Sequence, residues 1–241
     1  MKILFAGPSL PDAAAFCGET IRVHPPAVHG DVLAAVREGA TAVGIVDGRF
    51  EHVAPVWHKE ILYALDKGVS VFGAASMGAL RAAECDTFGM IGIGRIYKDY
   101  ASGRRVDDAD VALLHGPVEL GYPALSLALV NAEATLDRLE VEEAIDKSYI
   151  SRLKSAARGL FYKDRSWATV IERAGRKEDC KCLLQLIHAK AVNQKREDAL
   201  ALVTAMINFK PQTPAKQANW TFRETSLWRM AAGQPTAHRN A

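Results

Sequence analysis

Short apolar runs alternate with amphipathic stretches through the first part of the chain. KILFAG (2–7) reads as a strand ending in Gly7-Pro8, and DAAAFCG (12–18) as a short helix. ETIRVHPPA (19–27) holds a second strand, stopped by Pro25-Pro26. DVLAAVREG (31–39) has helical spacing, with Asp31 able to cap its start and Gly39 at its end. ATAVGIVDG (40–48) is a third strand, closed by Asp47-Gly48. PVWHKEILYALDKG (55–68) predicts a helix with Pro55 in its first turn and Gly68 past its end. The strand VSVFGA (69–74) and the helix MGALRAAECDTF (77–88) follow.

Strands and helices in strict alternation predict a parallel sheet covered by helices on both faces. The strands are continuous apolar runs, as strands buried on both faces must be. The expected fold class is α/β: a doubly wound, mainly parallel sheet of Rossmann or flavodoxin type, with an α-helical C-terminal extension. In such sheets ligands bind beyond the carboxyl ends of the strands. That edge carries Gly7-Pro8-Ser9, Asp47-Gly48 and Ala75-Ser76, and the helix opening with Trp57, His58 and Lys59 starts there.

The pattern changes at Ile91. Residues 91–126 are rich in glycine and mixed charge and predict one or two further strands in a long loop, VALLH (111–115) being the best candidate. SLALVNAEATLDRLEV (126–141) reads as a helix, and residues 142–209 read as helical throughout, including one run over 178–209. The expected division is a core over 1–141, a helical extension over 142–211 and a tail over 212–241. The tail end is polar and expected to be disordered. Within it, 219–230 carries Trp220, Phe222, Leu227, Trp228 and Met230, which are costly to expose and must dock on this chain, a second copy or a partner.

Composition adds exclusions. The formal charge of +2 over 241 residues gives no bulk attraction to nucleic acid. No apolar run is long enough to cross a membrane, and MKILFAGPSL is too short for a signal peptide, so the cytoplasm is the expectation. Cys17, Cys85, Cys180 and Cys182 form no CxxC pair, so reduced, mostly buried thiols are expected and no metal or other cofactor. Gly7-Pro8-Ser9 is neither G-x-G-x-x-G nor a P-loop, which puts nucleotide binding last.

The candidate chemistry centres on Ser76. A serine before a helix is often only a cap. Yet Ala74-Ala75-Ser76-Met77-Gly78 approximates the nucleophile elbow, with alanine for its first glycine. There the N–H groups of Met77 and Gly78 would meet an oxyanion or a bound anion. A base would come from His58, in the first turn of a helix, or from His115, after the acidic Asp107, Asp108 and Asp110; the sequence leaves the choice open. Asp47 orients a histidine, binds a ligand or simply makes its turn. Arg81 and Glu84 lie three apart on one helix and form either a surface pair or part of a charge network with Asp47 or Lys59.

Three strings together, the Asp47-Gly48 turn with Phe50, PVWHKEILYAL and GAASMGALRAAE, resemble the TfuA-like protein family. PPAVHGDV (25–32), FGMIGIGRIYKDYASG and the Asp107-Asp108…His115 segment fit as well, so that the resemblance spans roughly residues 2–120. It implies a partner of YcaO-type enzymes, which activate a peptide backbone amide with ATP. The pair installs a thioamide, and the TfuA-like member supplies sulfur by releasing sulfide from the C-terminal thiocarboxylate of a ThiS-like carrier. The alternative is a non-catalytic scaffold that activates the YcaO enzyme and recruits the carrier. Asp47, His58, Ser76, Arg81 and His115 are carried over as catalytic candidates, and Gly7, Ser9, Lys59, Met77, Gly78 and Glu84 as binding candidates. The family string often has serine at position 75 also; here it is alanine. Whether copies of the chain associate is open.

Overall fold

The computed structural model describes residues 1–49, 53–175, 180–210 and 220–233. Phe50, His52, residues 211–219 and the tail from 234, including His238, lie outside the described residues. Five parallel strands form one sheet: β1 (Lys2–Phe5), β2 (Ile21–His24), β3 (Ala42–Ile45), β4 (Ser70–Ala74) and β5 (Ile91–Ile93), in the order β2-β1-β3-β4-β5. Lys2 stands opposite Ile21 on one side and Ala42 on the other, and Ala42 opposite Ser70. The order reverses between β1 and β3, as in flavodoxin-type sheets, so the loops after these two strands flank the switch point.

Alternation along the strands divides the core. Ile3, Phe5, Val43, Ile45 and Val71 pack under α2 (Asp31–Arg37), α3 (His58–Asp66) and α4 (Met77–Cys85). Leu4, Ala42, Val46 and Phe72 face the other way, onto α1 (Ala13–Cys17) and the far half of a late helix. The sheet is therefore covered on both faces, as predicted.

After β5 the chain forms α5 (Gly94–Ala101), α6 (Leu129–Val141), α7 (Lys147–Arg158), α8 (Trp167–Arg173), α9 (Cys180–Ala189), α10 (Gln194–Asn208) and α11 (Ser226–Gly233). Two compact units result: Met1–Arg104 with Asp198–Ala241, and Arg105–Glu197. In the first, Leu202 and Met206 of α10 sit on the sheet, and a Cβ at Gly44 would lie 2.3 Å from Met206 Sδ. Lys2 Nζ donates to the carbonyls of Met206, Ile207 and Phe209 at 2.5, 3.1 and 2.8 Å, satisfying the open end of that helix.

The second unit is a helical cluster around Leu136, Leu139, Ile150, Leu153, Ile171 and Ile187. Buried Arg165 donates to the carbonyls of Ala157, Leu127 and Leu160, closing the end of α7. Glu133 receives both Arg105 and Arg158.

Four local expectations change. The helix predicted from Pro55 starts at His58, because Val28 and Pro55 form an antiparallel bridge that keeps this stretch extended. VALLH is not a strand; only His115 bridges, to Ala124. The segment after β5 turns at once into α5, whose first N–H groups at Arg95 and Ile96 are capped by buried Asp198 at 3.1 and 2.7 Å. The run over 178–209 breaks between Ala189 and Gln194 into two helices.

Candidate functional site

At the carboxyl end of β4 the chain turns on Ala75, whose φ is +66°. Ser76 N–H donates to Ala74 O at 2.8 Å, closing a γ-turn of the strained hand about Ala75. The strained residue of this corner is thus the alanine, and the hydroxyl stands one residue later. Ser76 precedes α4 but makes no side-chain cap bond, and it is half-buried. Among the described residues nothing accepts from Met77 N–H, while Gly78 N–H donates to Val46 O at 3.2 Å. The two glycines of the corner serve close packing of the chain on itself. A Cβ at Gly78 would lie 1.7 Å from Ile45 O, and one at Gly73 2.1 Å from Gly78 O.

Asp47, Gly7 and Ser9 meet at the switch point. Buried Asp47 accepts from Gly7 N at 2.8 Å, Ser9 N at 3.0 Å and Ser9 Oγ at 2.6 Å. The N–H groups that a nucleotide phosphate would use after β1 are bound to an internal carboxylate. Met77, also buried, lies against Gly48, where a Cβ would come within 2.7 Å of its Cγ.

A second group forms along α4. Glu84 Oε2 holds His58 Nε2 at 2.7 Å and Arg81 Nη1 at 2.6 Å, and Arg81 Nε donates to Val56 O at 3.1 Å. Burial pushes the Glu84 carboxyl up, but the bonds and charges of His58 and Arg81 outweigh it, and the net shift is downward. Glu84 follows Ser76 by eight residues, roughly 12 Å along a helix axis at about 1.5 Å per residue. His58 therefore belongs with Arg81 and Glu84. Lys59 faces elsewhere, with Nζ 4.5 Å from the centre of the Phe222 ring and bonded to Arg223 O. His115 lies in the other compact unit, where its Nδ1 is 2.8 Å from Gly116 O and its ring meets Tyr122 edge-on at 5.5 Å.

Residues 47–166 match the TfuA-like protein family model. The chain belongs to the TfuA-like family. The matched stretch holds Ser76, both ends of the His58–Glu84 pair and His115, whereas the expected PPAVHGDV string, with Gly7 and Ser9, falls before it. No curated protein matches the chain.

Two thiols of this TfuA-like chain are poor nucleophiles. Burial raises the Cys17 thiol, and burial with the neighbouring Glu84 pushes Cys85 up to about 11. Among the described residues no group of three or more His, Cys, Asp or Glu could hold a metal ion, and no helix is long and apolar enough to cross a membrane.

Among the buried carboxylates that escaped the sequence reading, Glu60 stands nearest to His58 in the chain. Glu60 accepts from Gly30 N, Leu33 N and Trp57 N at 2.8, 3.3 and 3.3 Å, tying the start of α2 to the start of α3. Burial raises its carboxyl, partly offset by these N–H groups and by His29. Its place three residues after Trp57 is the spacing of a capping box, the one signal that could have marked it.

Proposed function

We propose that this TfuA-like protein supplies sulfur for YcaO-dependent backbone thioamide formation by hydrolysing the thiocarboxylate of a ThiS-like carrier. The observation that carries this reading is the corner at Ala75–Met77. It offers a hydroxyl with no hydrogen bond among the described residues, an N–H with no acceptor there, and a helix N-terminus, all at a strained turn on the ligand-binding edge of the sheet. A glycyl thiocarboxylate is slim and anionic and suits such a corner. In the reaction the oxygen of water enters the acyl carbon, the C–S bond breaks, and the two protons of water leave on hydrogen sulfide. Ser76 either attacks first, giving an ester that water then opens, or anchors the oxyanion beside Met77 N–H. Arg81, Glu84 and His58 act as a group toward the carrier, and Asp47 fixes the Gly7–Ser9 loop. The raised thiols of Cys17 and Cys85 argue against a sulfur relay through them.

The scaffold reading has its own support. Leu114, Val118, Leu120 and Leu125 are 41, 54, 70 and 62% exposed within one short segment, a patch of the kind that binds partners. Sulfide release from a purified ThiS-like thiocarboxylate separates the two. Wild type is expected to turn over, Ser76→Ala to lose at least tenfold, and Ala75→Ser, which places a hydroxyl on the strained residue, to gain. Folded wild type that releases no sulfide, alone or with a YcaO partner, leaves the scaffold.

A further inference from the structure

Within residues 220–233, Phe222, Arg223 and Trp228 lie against Lys59 and Tyr63 of α3. Only one side chain of this segment is buried: Trp228, 2% exposed. Its ring centre is 5.0 Å from Tyr63, 6.0 Å from Trp57 and 5.2 Å from Phe222, and Phe222 meets Tyr63 at 5.6 Å. Trp220 donates to Phe88 O at 3.1 Å and meets the Phe88 ring edge-on. The protein holds the segment's main chain through two basic side chains, Lys59 on Arg223 O and Arg37 on Ala232 O. Thr225 Oγ1 accepts from Trp228 N at 3.2 Å and starts α11.

The docking combines one deep aromatic anchor on α11, a second aromatic six residues before it and ahead of the helix, and contacts to the backbone that any sequence offers. Leu227 and Met230, on the same helix, stay 63 and 68% exposed. A segment with one buried anchor belongs to the low-stability end of a protein's local openings. What it grips is specific. Trp57 and Lys59, the neighbours of His58 on either side, are both held by it, while His58 itself reaches Glu84.

We propose that the outer face of α3 is a docking site for a peptide of Phe-x5-Trp type whose Trp-bearing half is helical, filled in cis by the chain's own C-terminal segment, and that filling it steadies His58. The segment exchanges with a like peptide in trans when its own anchor is weakened. This holds whether or not His58 does chemistry. The full-length chain tests it, with a synthetic peptide of residues 220–233 as the probe. The peptide is expected to bind Trp228→Ala at least tenfold more tightly than wild type, whose docking site is occupied, and to lose that affinity when Tyr63→Ala is added. In Trp228→Ala the Lys59 amine is expected to label several-fold faster than in wild type, with exposed Lys147 as reference. The His58 imidazole resonances are expected to shift and to return when peptide is added. Equal affinity for wild type and Trp228→Ala overturns the docking site. Unmoved His58 resonances in a Trp228→Ala chain with a freed Lys59 overturn the coupling.

Discussion

Glu84 sits between His58 and Arg81 and answers to both. Its carboxyl is held below the ordinary value of 4.5. A lowered carboxylate stabilises the fold above its unfolded value and loses that contribution as pH falls through its folded value. Glu84→Gln is therefore expected to be less stable than wild type near neutral pH, with the gap closing below about pH 4. Urea midpoints at pH 7, 5 and 3 check this, and a gap that stays constant with pH refutes it. The side chain is 44% exposed, so the gap stays within about 1 kcal/mol. The sequence put Arg81 and Glu84 on one helix face, since three residues make most of a turn. It could not choose a partner for His58, because that contact joins two helices. Asp47 shows the same limit: Asp-Gly marks a turn in any sequence, and only the return of β1 beside β3 brings Gly7 and Ser9 to its carboxylate.

Among the elements, α4 presses closest on the sheet. Gly73 and Gly78 stand where strand and helix backbones nearly touch. An added methyl at Gly78 meets the Ile45 carbonyl, which belongs to a central strand and has no room to move. Gly78→Ala is expected to cost about 3 kcal/mol or more, or to prevent folding, as chemical denaturation would show. A stability within about 0.5 kcal/mol of wild type would mean that the helix shifts freely. The sequence reading gave the Gly78 N–H to a bound anion and assigned Gly73 no role. That the approach is to the chain's own backbone depends on β3 lying beside β4. α5 was hidden for a related reason: its start is capped by Asp198, more than a hundred residues away, so no local signal marks it.

For the molecule as a whole, the far half of α10 covers a face of the sheet that α1 alone leaves open. Leu202 is fully buried there. Leu202→Ala is expected to destabilise by about 2–5 kcal/mol, and a urea titration followed by near-ultraviolet circular dichroism measures it. A loss well under 1 kcal/mol would mean that this helix contributes little to the core. The periodicity of residues 194–208 announced a helix, and the sequence reading placed it in the 142–211 extension, because a helical repeat defines an apolar face and not its neighbour.

The sequence by itself determined the alternating elements of the first half, the parallel sheet, the helical character of the later residues and the family strings. These rest on local periods and turn residues, which act over a few positions. The tertiary structure alone decided that His58 joins Glu84, that the strained residue at the β4 corner is Ala75, that α10 returns to the sheet and that Trp228 docks on α3. Each of these is a contact between distant residues, and the chain brings them together only when the strands settle in the order β2-β1-β3-β4-β5.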